Sequence, residues 1–180
     1  MRVISGSARG RKLKEPKGET IRPSKDMVKE SMFNIIQFEL SGAKVLDLFA
    51  GTGQLGIEAL SRGAKSAMFV DSNSEAVKLV KENLKICGFS AISMVYNTDA
   101  LRYLEYEENF DIIFIDPPYD SNLASEAVLK IAEFDKLTKN GIMMCETADN
   151  CELPELPKPY VLKKQYKYGI TKVHCFRKNP

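Results

Sequence analysis

Two stretches of this 180-residue chain place reactive side chains beside constrained backbone. Asp116-Pro117-Pro118-Tyr119 follows the apolar run Ile112-Ile113-Phe114-Ile115. Two consecutive prolines fix φ and remove N–H donors, so the chain there is rigid and presents carbonyls. A carboxylate beside a fixed carbonyl is a double acceptor for an NH₂ group, and Tyr119 adds an aromatic face on which a planar base can stack. A plain strand terminator with a packed tyrosine would use the same residues; the second stretch favours a site. Asp47-Leu48-Phe49-Ala50-Gly51-Thr52-Gly53 lies where a strand meets a helix. Glycines there let the backbone turn tightly and let a ligand approach the helix N-terminus. Gly51, Gly53 and Gly56 also fit G-x-G-x-x-G. Asp71 stands twenty positions after Gly51, where a carboxylate reaches a ribose hydroxyl.

Asp47 separates two nucleotide readings. A carboxylate four residues before the first glycine opposes the two phosphates of a dinucleotide and suits a ligand with a cationic amino-acid end. S-adenosylmethionine has that end, an adenosine and no phosphate. Asp47 is expected to meet its ammonium, Asp71 its ribose and Asp99 its adenine amino group, although Asp99 also suits a helix N-cap. Phe49, Gly51 and Gly53 on the first loop, Ser72 beside Asp71 and Ala100 beside Asp99 complete the expected cofactor set.

Alternating elements position these groups. Residues 2–13 read as a basic hairpin or arm. A helix is expected from Ser24, its N-cap, with Met27, Val28, Met32, Ile35 and Ile36 on one face and Ser41-Gly42 as its stop. Strand 44–49, helix 54–62, strand 66–71 and a helix to Cys87 opened by a capping box at Ser72-Asn73-Ser74-Glu75 follow. Then come strand 92–96, short helix 100–104, strand 111–116, helix 124–134 and strand 141–146. Residues 160–168 and 171–176 read as an antiparallel hairpin turning at Gly169. Strict β/α alternation implies a parallel sheet with helices on both faces and ligands beyond the strands' C-terminal ends.

The chain is 44% hydrophobic and 28% charged, which excludes disorder and a disulfide mini-protein. No apolar run approaches a membrane span, and residues 1–6 lack a signal-peptide core, so a cytoplasmic protein is expected. Four cysteines without a C-x-x-C pair and the single His174 fit no familiar zinc pattern. No metal is expected, and Cys145 and Cys175 read as packing residues. Net charge is only +2, but residues 1–25 carry +6, residues 151–180 carry +5 and the middle carries −9. Basic ends on an acidic body fit a polyanionic partner. Arg9, Arg11, Lys12, Lys14, Arg22 and Lys25 are the candidate RNA phosphate contacts, with Lys163, Lys164 and Lys167 behind them. Solvated charge would explain the same residues. Arg22 precedes the first helix, where it can also wall the site.

The pair Asp-Leu-Phe-Ala-Gly-Thr-Gly and Asp-Pro-Pro-Tyr resembles class I S-adenosylmethionine-dependent methyltransferases acting on exocyclic amines. Arg2-Val3-Ile4-Ser5-Gly6, Arg9-Gly10-Arg11-Lys12-Leu13, Thr20-Ile21-Arg22-Pro23, Glu30-Ser31-Met32-Phe33-Asn34 and residues 55–64 extend the likeness over nearly the whole chain. They resemble the ribosomal RNA small subunit methyltransferase D family. Gln54 departs from the small residue common in that family. The resemblance implies a Rossmann-like, mainly parallel seven-stranded sheet, with residues 1–40 an RNA-binding extension and 41–180 the methyltransferase domain. It also implies methylation of a guanine N2 in bacterial 16S rRNA, with S-adenosylmethionine as cofactor and 16S rRNA or the assembling small subunit as partner; nothing in the sequence demands more than a monomer. Asp116, Pro117, Pro118 and Tyr119 are then the catalytic set. A DNA adenine-N6 or protein glutamine-N5 methyltransferase would use a related acceptor motif. A nicotinamide-dependent oxidoreductase would use the glycines and Asp71, and a non-catalytic RNA-binding module would need only the basic ends.

Overall fold

The computed structural model describes residues 1–16, 23–119 and 122–180. Helix α1 (Pro23–Ile35) leads into β1 (Lys44–Asp47), α2 (Gln54–Ser61), β2 (Ser66–Asp71) and α3 (Ser74–Cys87). After a short 3₁₀ turn come β3 (Ser93–Asn97), α4 (Ala100–Tyr103), β4 (Phe110–Ile115), α5 (Leu123–Glu133), β5 (Leu137–Ala148), β6 (Tyr160–Tyr168) and β7 (Thr171–Lys178). They build one seven-stranded sheet in the order β3-β2-β1-β4-β5-β7-β6. β1 to β5 pair in parallel, while β7 runs antiparallel to both β5 and β6. This is the α/β class I methyltransferase architecture that the resemblance implies. The last strand of the expected hairpin slots between β5 and β6.

Alternating residues of the central strands supply two cores. Val45, Ile112 and Phe114 face one side, where α2 and α3 pack. Leu46, Ile113 and Ile115 face the other, against α4 and α5. Gly56 lets α2 lie close on the sheet, since a Cβ there would stand 2.3 Å from the Phe69 ring.

The N-terminal segment is a hairpin, with Arg2 bridging Lys12 and Val3 N–H donating to the Arg11 carbonyl at 3.0 Å. It is fastened to the body. Val3, Ala8 and Leu13, with Val28, Met32 and Phe33 of α1 and Ile36 just after it, join the same core as Val45 and Phe69. Buried Glu58 of α2 accepts from Ile4 N–H at 2.8 Å and Ser5 N–H at 3.0 Å, and it pairs with Arg62. Ser61 Oγ accepts from Ala8 N–H at 2.9 Å. Gly6, at φ 82°, is the point of closest approach, where a Cβ would fall 1.7 Å from the Ser61 carbonyl oxygen.

Four expectations need correction. Helix α1 begins at Pro23, so Ser24 lies inside the helix and is not its N-cap. Helix α1 ends at Ile35 rather than Ser41, because Gln37 Nε2 donates to the Asn34 carbonyl at 3.1 Å and the chain turns to set buried Leu40 into the core ahead of β1. Gly42 instead donates its N–H to Gly63 in a loop-to-loop contact. No Ser72 capping box opens α3; Asn73 is the N-cap, its side chain accepting from Glu75 N–H at 2.9 Å. Finally, β5 starts at Leu137, since Phe110 pairs with Leu137 before the register shifts. Among the described residues no helix is long and apolar enough to cross a membrane. The four cysteines are free thiols, and Cys145 and Cys175 are buried strand residues.

Candidate active site

Strand register gathers the motif residues at one edge. Asp47 of β1 is level with Phe69 of β2 and Phe114 of β4, so Asp71 and Asp116 each stand two residues beyond it. Asp71 is level with Asn97, which puts Asp99 two residues past that pair. Ile115 is level with Cys145, so Glu146 lies beside Asp116. The C-terminal edge of the sheet thus carries Asp47, Asp71, Asp99, Asp116 and Glu146.

In the half built by β1, β2 and β3, carboxylates shape backbone. Asp71 accepts from Gly51 N–H and Asn73 N–H, each at 2.8 Å, which locks the glycine turn to the end of β2. Each of its oxygens keeps a second lone pair for a ligand hydroxyl. Asp99 is the N-cap of α4, accepting from Arg102 N–H at 2.9 Å. Ser72 is exposed beside Asp71, while Ala100 is buried at the start of α4. Asp47 lies beneath the turn, 1% exposed, and accepts from Gly56 N–H in the first turn of α2 at 2.9 Å. Burial pushes its carboxyl up to about 7, against the pull of the Gly56 bond and with a smaller push from Asp71. Phe49 is half-buried against the α4/α5 core. Gly51 and Gly53 are left-handed, at φ 54° and 77°, and a Cβ on Gly51 would meet nothing within 4 Å. The turn is therefore open at Gly51, with the Asp71 carboxylate at its side and the Asp47 carboxyl, titrating at about 7, beneath it. That donor set fits an adenosyl ligand with a cationic amino-acid end and free ribose hydroxyls.

In the half built by β4, β5 and β7, polar side chains pair with one another. Pro117 is buried, while Pro118 and Tyr119 are exposed at the rim. The Tyr119 ring is 37% exposed, and its hydroxyl donates to Glu146 Oε1. That bond uses the only tyrosine proton, so the Thr171 hydroxyl donates to Tyr119 at 2.9 Å. Burial and the Glu146 carboxylate raise the phenol further above its ordinary value. The ring is held at a fixed angle beside Asp116, with one face of the rim left to solvent.

Arg9, Arg11, Lys12 and Lys14 are exposed on the hairpin. Arg11 Nη1 donates to the Ile86 carbonyl at 3.2 Å, and Lys14 pairs with Glu82 at 2.7 Å. Arg22 and the side chain of Lys25 lie outside the described residues. Lys163 and Lys164 are exposed on β6, with Lys164 over the Tyr166 ring, whereas Lys167 pairs with Asp149. Sequence reasoning missed Glu146, Thr171 and Asn83. Glu146 closes the apolar run of residues 141–145 in the sequence as Asp71 closes that of residues 67–70, and that signal was available. Thr171 carried none. Asn83 was marked by being polar on the apolar face of α3, among Val80, Leu84 and Cys87.

The family model described as Conserved hypothetical protein 95 matches residues 1–177. Bacillus subtilis YlbH, whose name gives it provisionally as an rRNA methyltransferase, is 42% identical over 99% of each chain. The Haemophilus influenzae protein named Ribosomal RNA small subunit methyltransferase D is 35% identical, over 98% of this chain and 93% of its own. The solved structure of Escherichia coli yhhF superposes with a TM-score of 0.90 at 29% identity, covering 99% of this chain and 98% of that one. With the glycine turn, the Asp-Pro-Pro-Tyr corner and the fastened hairpin all inside the matched span, the chain belongs to the Conserved hypothetical protein 95 family, which includes the ribosomal RNA small subunit methyltransferase D proteins.

Proposed function

We propose that this protein is an S-adenosylmethionine-dependent methyltransferase acting on the exocyclic N2 amine of a guanine in 16S rRNA. The observation that carries the reading is the common level of two sites on one sheet edge: the open Gly51–Gly53 turn with Asp71, and the Asp116–Tyr119 corner one strand away. The names of full-length relatives supply rRNA as the substrate class, and the sequence resemblance supplies guanine N2.

Asp71 takes the ribose hydroxyls through its remaining lone pairs, and Asp99 and Ala100 border the adenine. Asp47 acts as a buried charge under the turn that favours the cationic end. When bound, S-adenosylmethionine supplies a methyl group on a positively charged sulfur, which is the electrophile. The residues at the corner prepare the nucleophile. Guanine N2 is a poor one because its lone pair is delocalised into the ring. By accepting the two N–H bonds, Asp116 and the Pro117 carbonyl hold the nitrogen pyramidal with its lone pair outward. Asp116 then receives the proton that the amine gives up. Tyr119, steadied by Glu146 and Thr171, stacks on a base that has left its helix, since a paired base cannot enter such a corner. Exposed Arg9, Arg11, Lys12 and Lys14 hold phosphates.

The test is mass spectrometry of nucleosides from small-subunit rRNA of a strain lacking the protein. The expected result is loss of one N2-methylguanosine, restored by the wild type but not by Asp116→Ala. An unchanged rRNA profile would overturn the rRNA assignment and direct the same assay to DNA adenine and protein glutamine.

A further inference from the structure

Asn83 sits mid-helix on the buried face of α3 and is 0% exposed. Its amide reaches two separate segments. Oδ1 accepts from Lys14 N–H at 2.7 Å, and Nδ2 donates to the Lys14 carbonyl at 3.1 Å, so the side chain pairs with the hairpin's backbone as a neighbouring strand would. The same Nδ2 donates to the Thr52 carbonyl at 2.9 Å, inside the glycine turn. A second contact runs in parallel, since the Thr52 hydroxyl donates to Met1 Sδ at 3.5 Å. One buried amide therefore ties the exposed basic hairpin to the backbone of the turn.

We propose that Asn83 is a positioning residue that couples the two, so that RNA held on the hairpin and the adenosyl ligand held over Gly51 strengthen each other's binding. This rests on the function proposed above. The hairpin is anchored to α2 through Glu58 and Ser61 at one end and to Asn83 at the other, so phosphate contacts at Arg9, Arg11 and Lys12 bear on Lys14. Asp71 already holds the Gly51 N–H at 2.8 Å and a Cβ on Gly53 would press on Val80 at 3.3 Å, so what the Asn83 bond adds is the orientation of the Thr52 carbonyl between the two left-handed glycines. Fixing Lys14 fixes Asn83 and with it the Thr52 carbonyl, which selects one arrangement of the turn. Linkage requires the effect to be equal in both directions.

The experiment measures the dissociation constant of S-adenosylhomocysteine by calorimetry on the full chain, without and with saturating unmethylated 16S rRNA transcript. The variant is Asn83→Asp, which keeps the acceptor for Lys14 N–H and loses the Nδ2 donor to both the Thr52 and the Lys14 carbonyls. The wild type is expected to bind the ligand at least about fivefold more tightly with RNA present, and the variant to show a ratio near one. A role confined to holding the fold would lower the melting temperature of the variant and leave the ratio intact, which would overturn the proposal. Should the variant fail to fold, hydrogen exchange on the wild type decides. RNA is expected to slow the amides of residues 50–56 as well as those of the hairpin, and an unchanged turn overturns the coupling. A protein that binds both ligands independently sinks the coupling alone, whereas one that binds neither sinks the function on which it rests.

Discussion

The two halves of the sheet edge are built on different principles. Around β1, β2 and β3 each carboxylate bonds backbone amides close to it in the chain or one strand away: Asp47 to Gly56, Asp71 to Gly51 and Asn73, Asp99 to Arg102. Around β4, β5 and β7 the bonds run between side chains far apart in sequence, with Tyr119 meeting Glu146 and Thr171. The first half is a preformed cradle whose polar groups double as its scaffold. The second is a corner whose rigid part is the Asp-Pro-Pro backbone and whose aromatic wall is steered from two other strands. Damage should separate accordingly, into cofactor affinity on one side and turnover or RNA recognition on the other.

The sharpest test of that separation is Asp116→Ala, expected to cut turnover about a hundred- to ten-thousand-fold while calorimetry finds S-adenosylhomocysteine binding unchanged. A large loss of cofactor affinity would break the division. Asp47→Asn should do the reverse, weakening the ligand about ten- to a hundredfold with kcat little altered at saturation. Its stability effect has the opposite sign. The carboxyl titrates at about 7 in the fold, above its ordinary 3.8, so wild-type stability declines as pH rises from about 4 to about 7. Thermal melts of Asp47→Asn should lack that decline and exceed the wild type at pH 8, by at most about 4 kcal/mol at about 1.4 kcal/mol per pKa unit. In the wild type, ligand affinity should fall as pH drops below 7, and in the variant that slope should vanish.

The basic ends divide too. Four C-terminal cations are already in ion pairs: Lys167 with Asp149, Lys172 with Glu152, Arg177 with Glu39 and Lys178 with Asp135. On the hairpin neither Arg9 nor Lys12 forms an ion pair among the described residues. Arg9→Ala with Lys12→Ala should therefore weaken rRNA binding about tenfold and flatten its log–log salt dependence by about two units, measured by filter binding. Lys167→Ala with Lys172→Ala should change it about twofold at most. Between these two in size falls Tyr119→Phe, which keeps the ring but leaves the Glu146 carboxylate without its phenol donor. KM for rRNA should rise about threefold, with a smaller change in kcat. An effect on kcat as large as that of Asp116→Ala would mean the hydroxyl takes part in the chemistry.

The cradle was legible because its signals are local. Asp47, Gly51, Gly53 and Asp71 fall within 25 residues, and their spacing follows from strand length and a single turn. Element boundaries were less so. Ser72 and Asn73 are both good caps, and only backbone geometry selected Asn73. The helix expected to run to Ser41 stops at Ile35 because Leu40 is needed in the core below β1. The basic N-terminus read as a hairpin or an arm; it is the hairpin, and Val3, Ala8 and Leu13 bury it on α1 and α2, which charge counting does not register.

By itself the sequence determined the alternating α/β architecture, the glycine turn, the acids that end successive strands and the rigid Asp-Pro-Pro-Tyr corner. Each of these depends on residues near one another in the chain, where periodicity and backbone restriction act directly. Only the tertiary structure decided that β7 enters between β5 and β6, which brings Thr171 to Tyr119, and that Asn83 joins Lys14 to Thr52. Those contacts span 31 to 69 residues. They exist because burying two sheet faces fixes which strands and helices are neighbours, and polar groups trapped at those junctions must then find their partners there.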